Sequence, residues 1–294
     1  MISDPVSLRR AWIFFAVWLL VCAALFARPL TQLFQFAAQN DDASHILLVP
    51  VISAWLLFLK RDDLTAANPL NYRGAAWLVA LTAIDAVAAR TEWASQQNIR
   101  LTLHTTAFLL LAVSGFIAIF GRQSARQSSF ALWFLLFAIP MPPALVDRIV
   151  VQLQAGSAAV AGIIFDICRV PALREGFVFR MPRISIEVAA ECSGIRSSMA
   201  LLILAVLVAH FSFRPFWKKV LFVAAGLLVM IVKNGARIAT LTILANYVDP
   251  DFLYGRLHRQ GGVVFFVLGC ALLLPLYWVL RRNESRTGHV ELKG

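Results

Sequence analysis

Apolar runs about as long as a membrane helix recur along almost the whole chain, and that recurrence limits the fold before any single residue is considered. A bilayer core about 30 Å thick is crossed by about 20 helical residues. Segments 11–27, 46–59, 74–89, 105–120, 130–145, 193–213, 220–247 and 262–280 meet or approach that standard, the second being short. Hydrophobic residues make up 60% of the 294 and charged residues 15%, where soluble domains carry about 45–50% and about 25%. A soluble protein of this size has too little interior for that much apolar side chain, so lipid must be the solvent for most of it. The expected fold class is all-α: a polytopic integral membrane protein with about eight transmembrane helices, built as one membrane-embedded domain over 1–294.

The net charge of +11 and the isoelectric point near 10.3 do not point to nucleic acid. The cations sit in short clusters between apolar runs, as at Arg9-Arg10, Lys60-Arg61, Lys218-Lys219 and Arg281-Arg282, and they are not interleaved with stacking aromatics. With residues 1–10 cytoplasmic and eight crossings, 14 cations fall in inner segments against ten in outer ones. The positive-inside rule favours this arrangement, with the core at 11–280, an outer loop at 146–192 and a cytoplasmic tail at 281–294. The first run follows Arg9-Arg10 as in a secretory signal, but seven further spans favour its retention as an anchor.

The count works only if the apolar stretch 149–168, which carries Gln152, Gln154, Ser157 and Asp166, does not cross. It is expected to be a re-entrant or interfacial helix on the outer face. After it, 177–180 and 184–188 are rich in β-formers, and Met181-Pro182-Arg183 reads as a turn between them. A small outer-face β-hairpin leading into Cys192 is the expectation.

Polar groups within membrane helices are costly and call for a reason. Lys233, Asn234 and Arg237 lie together in 220–247, and Arg237 comes 18 residues after the cytoplasmic Lys219. At 1.5 Å per residue that is about 27 Å, close to the outer surface. Cys192 opens the sixth span from the same side, and His258 falls in the outer loop before the last. A thiol at a helix start near cations is readily deprotonated. A Cys with a His base can form a thioester, and an Arg can stabilise the oxyanion of the intermediate. Gly194, Gly235 and Gly262 lie beside the three and would let backbones approach. Taken singly, a Cys at a helix end is more often structural, and an intramembrane Arg with Lys and Asn equally suits a carrier or flippase for an anionic or lipid-linked substrate. The residues alone leave both readings open. The four cysteines form no CxxC and no metal spacing, so neither a metal nor a cofactor is expected.

Three blocks carry a resemblance. Glu-Cys-Ser-Gly-Ile-Arg-Ser-Ser at 191–198, Asn-Gly-Ala-Arg-Ile at 234–238 and the His258, Gly262, Phe266 spacing resemble the signature blocks of the exosortase/archaeosortase family. Ser44-His45 through Arg61, Phe134 through Arg148 and Leu173-Arg-Glu-Gly176 resemble further family segments, in the expected order. That resemblance implies a membrane cysteine transpeptidase that processes PEP-CTERM-type sorting signals of secreted proteins in the bacterial inner membrane, with its active site outward. It implies Cys192 as nucleophile, with Arg237 and His258 as the other catalytic residues. Ser193, Gly194, Arg196, Asn234 and Gly262 would bind substrate or support the site, Arg196 either by holding the hairpin through Glu187 or Glu191 or by binding substrate carbonyls. The implied partner is the substrate's C-terminal transmembrane signal, with the acceptor nucleophile open. Ile46 and Glu191 depart from the family pattern, at positions where Gly and a small residue are common.

Overall fold

A computed structural model describes residues 5–65, 97–188, 195–253 and 256–288, with isolated positions 76, 79, 80, 82, 83 and 87. The expected span at 74–89 is therefore described only at those isolated positions, and the catalytic candidate Cys192 with Ser193 and Gly194 lies outside the described residues. The described chain is almost wholly helical and divides into two compact units, Met1–Val146 and Asp147–Gly294.

The first unit holds α1 (Pro5–Leu25), α2 (Ala27–Gln39), α3 (His45–Leu59), α4 (Gln97–Gln127) and α5 (Ser129–Phe134). Aromatic packing joins α1 to α4: Phe15 meets Phe116 edge-on at 5.5 Å, and Trp12 lies 4.9 Å from Phe120. The Trp18 indole crosses α4 where Gly115 leaves room for it, and its Nε1 donates to the Leu111 carbonyl at 2.9 Å. A Cβ at position 115 would overlap that ring. The chain turns at Phe26, so the first run ends earlier than expected. The amphipathic α2 follows, burying Leu33 and Ala37 against Ile46 and Leu101. At Gly121 (φ 82°, ψ 169°) α4 leaves helical geometry, in a region of backbone space that is essentially glycine's alone.

The run 130–145 does not form the expected span. Its apolar helix covers only Ser129–Ala138. Pro140 and Pro142 supply no N–H to a helical ladder and clash with the preceding turn, so the chain is extended there. Pro143 instead opens α6 (Pro143–Ile167), at the position where a missing N–H costs nothing.

The stretch 149–168, expected to be a re-entrant or interfacial helix, lies almost wholly within α6. At 25 residues, about 37 Å, α6 is one of six described helices long and apolar enough to cross a membrane. The others are Leu8–Leu25, Asp41–Leu59, Asn98–Gln127, Ile195–Ser212 and Gly262–Arg282. Gln154 and Ser157, which argued against a crossing, are buried inside the protein and hydrogen-bonded there.

The second unit continues with a sheet, α7 (Ile195–Ser212), α8 (Phe216–Tyr247) and α9 (Arg256–Gly288). The expected hairpin is a three-stranded antiparallel sheet in the order β1 (Leu173–Glu175), β2 (Val178–Arg180), β3 (Ser185–Glu187). Leu173 pairs with Arg180, and Phe179 with Ile186. Gly176 (φ 63°) makes the first turn. Phe179 is buried against Phe165 of α6, their rings edge to face at 5.1 Å.

Small residues let α6 and α8 approach. A Cβ on Gly235 would come within 2.5 Å of Val160 Cβ and 2.9 Å of the Ser157 carbonyl. Gly262, expected to serve the same purpose, has no described atom within 4 Å of such a Cβ. Gly235→Ala is therefore expected to lower stability by about 1–3 kcal/mol, while Gly262→Ala leaves it unchanged. Unfolding of the purified variants in detergent measures the contrast.

Candidate functional site

The polar stretch of α8 organises this unit. Lys233 and Asn234 are each 1% exposed and Arg237 is half-buried. Lys233 Nζ donates to Ser197 Oγ on α7, and Asn234 Nδ2 donates to Ser157 Oγ on α6 at 3.0 Å. On α6, one turn before Ser157, Gln154 Nε2 donates to the Val188 carbonyl at 2.9 Å and holds the end of the sheet. Val188 packs in one core cluster with Ile238 and Ala239, the residues next to Arg237. Val188, the last described residue before 189–194, thus shares a core with the turn of α8 next to Arg237, and α7 begins at Ile195.

The helix registers say where each end lies. Ser197 is level with Lys233, and Gly226 meets Ala205. Antiparallel continuation brings the level of Arg237 within about two residues of Ile195, the start of α7. Across α9, Lys218 Nζ donates to the Leu280 carbonyl at 2.9 Å, and Gly269 sits against Lys233 and Val229. On that register Arg237 is level with about Gly262, and the backbone of His258 lies about one turn, or 5.4 Å, further toward the same end. His258 is not in a loop: it belongs to the first turn of α9, which starts at Arg256.

Three parts of the expected site therefore occupy one end of three packed helices: the start of α7, Arg237 and the first turn of α9. Arg196 is exposed on the first turn of α7. Asn234 donates to Ser157 and so links α8 to α6. Sequence reasoning missed Ser157 and Ser197 as partners. The available signal was polarity in an apolar run: Gln154 and Ser157 lie three residues apart on one helix face, and Ser197 lies five residues after the cysteine.

Among the described residues no three His, Cys, Asp or Glu side chains gather closely enough to hold a metal ion. A cavity of about 250 Å³ between α7, α8 and α9 is lined by Leu201, Val208, Phe222, Leu273 and Tyr277 among others. It is apolar, and Phe222 lies 15 residues from Arg237 along α8, about 22 Å at 1.5 Å per residue. That cavity is separate from the polar end.

A protein-family model described as transmembrane exosortase matches residues 37–275, most of the chain. The chain belongs to the transmembrane exosortase family. It is a multi-pass membrane protein, and the sequence blocks around Cys192, Arg237 and His258 all fall within the matched range. Comparison with curated proteins and with solved structures gave no match.

Because Asn234 and Ser157 are both buried, Ser157→Ala is expected to cost about 1 kcal/mol and to loosen α6 from α8. Denaturant titration of the variant in detergent micelles checks it. A Ser157→Ala protein as stable as the parent would show that the bond is not structural.

Proposed function

We propose that this exosortase-family chain is a cysteine transpeptidase or protease that cleaves C-terminal sorting signals of secreted proteins on the outer face of the membrane. The observation that carries the reading is the shared level of the start of α7, Arg237 and the first turn of α9. Cys192 precedes α7 by three residues. Its thiolate attacks the scissile carbonyl, and the Arg237 guanidinium stabilises the oxyanion of the tetrahedral intermediate. His258 gives a proton to the leaving amine as the C–N bond breaks, leaving a Cys192 thioester. An incoming amine or hydroxyl, or water, then gives its proton to His258 and attacks the thioester, releasing the thiolate. Transfer to an acceptor anchors the product; water simply cleaves it. The one-turn offset of the His258 backbone from Arg237 suits the two roles, one at the carbonyl oxygen and the other at the leaving nitrogen.

The substrate in this reading ends in a short motif, an apolar helix and a basic cluster, and the enzyme lies in a bacterial inner membrane with both termini cytoplasmic. Exchanging the lost crossing at 130–145 for α6 keeps the number of crossings before α7 unchanged. With 74–89 counted as a crossing as well, that number supports the outward assignment of the site. No metal or organic cofactor enters the scheme.

The carrier reading uses Lys233 and Arg237 as an anion clamp, but Lys233 is buried and bonded to Ser197. The two readings part on the thiol. With a reporter bearing such a C-terminal signal from the same genome, Cys192→Ser is expected to lose processing by at least about 10³-fold. Arg237→Ala should lose about 10²–10³-fold, while Cys168→Ser and Cys270→Ser match the parent. Undiminished cleavage by Cys192→Ser sinks the mechanism.

A further inference from the structure

Lys233 occupies an unusual junction. The residue is 1% exposed, and its ammonium meets no carboxylate among the described residues. One turn on, Arg237 adds a like charge on the same helix face. The Nζ donates to Ser197 on α7, and the stem lies against Gly269 on α9, where a Cβ would meet Lys233 Cδ at 3.5 Å. Next to Ser197, the buried Ser198 hydroxyl has no hydrogen-bond partner among the described residues. One side chain on α8 thus touches both α7 and α9. A Met or Leu would fill that volume without burying a charge, and exchanging buried ionic groups for apolar ones of similar size is often neutral or stabilising. Packing does not explain the lysine.

We propose that Lys233 is a positioning residue: through Ser197 it fixes the axial register of α7 against α8, and so the distance between the nucleophile and Arg237. This rests on the cysteine reading above, because each helix touched by Lys233 carries one group of that reading. Cys192 lies five residues before Ser197, Arg237 four after Lys233, and His258 eleven before Gly269. A slip of α7 by one residue along α8 is a shift of about 1.5 Å. Misplacement of about 1 Å can cost about 10²-fold in rate.

The test is a double-mutant cycle in the full-length protein, scored by processing of the same reporter and by unfolding in detergent. Lys233→Met and Ser197→Ala are each expected to slow cleavage, Lys233→Met by about 10²-fold. The double variant should be no slower than the worse single one. Lys233→Arg, which keeps the donor, should recover part of the loss, and Lys233→Met should unfold no earlier than the parent. Lys233→Met cleaving within about threefold of the parent overturns the proposal, as do multiplicative losses in the cycle or a rate loss that only tracks loss of folded protein. Cys192→Ser separates the two levels. If it is inactive and Lys233→Met is normal, only the positioning role fails; if it cleaves, the cysteine reading fails whatever Lys233 does. Loss of cleavage in Ser197→Ala with retention in Cys192→Ser would make Ser197 the nucleophile, activated by Lys233, and would overturn both.

Discussion

A polar group enclosed in an apolar body has to find a partner, and α8 places Lys233 and Asn234 side by side in that situation. Much of the second unit follows from the demand. Asn234 needs Ser157, which brings α6 alongside α8, and Gly235 and Gly156 let the backbones come close enough for the bond to form. Lys233 needs Ser197, which sets α7 in register. Gln154 serves the same α6 face by anchoring Val188, so the end of the sheet joins the core that holds Ile238 and Ala239 of α8. Polar bonds of this kind contribute only about 0.5–1.5 kcal/mol each. Their larger effect is on geometry, because an alternative register would leave buried polar atoms unsatisfied.

Much of the fold was legible in the sequence because hydropathy and length are local properties. The spans around α1, α3, α4, α7 and α9 fall where the apolar runs lie, shifted by a few residues. The errors share a physical origin: hydropathy averages over features that act at one position. Pro140 and Pro142 stop a helix inside a run apolar enough to cross. Gln154 and Ser157 read as awkward polarity in an apolar run because the sequence does not say that both face protein. The short β1 strand is invisible alone, since its three residues are all exposed and become a strand only by pairing with β2.

The site divides in the same way. Motif spacing singled out Arg237 and His258, and the topology argument put both near one end of the helices. Side-chain partnerships across helices were not legible. Ser157 lies 77 residues from Asn234, and Ser197 lies 36 from Lys233. Nor was the start of α9 at Arg256, which moves His258 from a loop to a helical turn and fixes it about one turn beyond Arg237. Gly262 was read as a close-approach glycine from its neighbourhood in the chain, and no described neighbour crowds it.

The central claim is that a reactive thiol at position 192 works beside the Arg237 cation on the outer face. Labelling Cys192 in intact membranes with an impermeant thiol reagent tests that claim most directly, in a background lacking Cys22, Cys168 and Cys270, with and without Arg237→Ala. The account predicts rapid labelling from the outer side that slows strongly when the guanidinium is removed, as for a thiolate held by a neighbouring cation. A thiol that stays inert, labels only from the cytoplasmic side, or reacts at the same rate without Arg237 would contradict it.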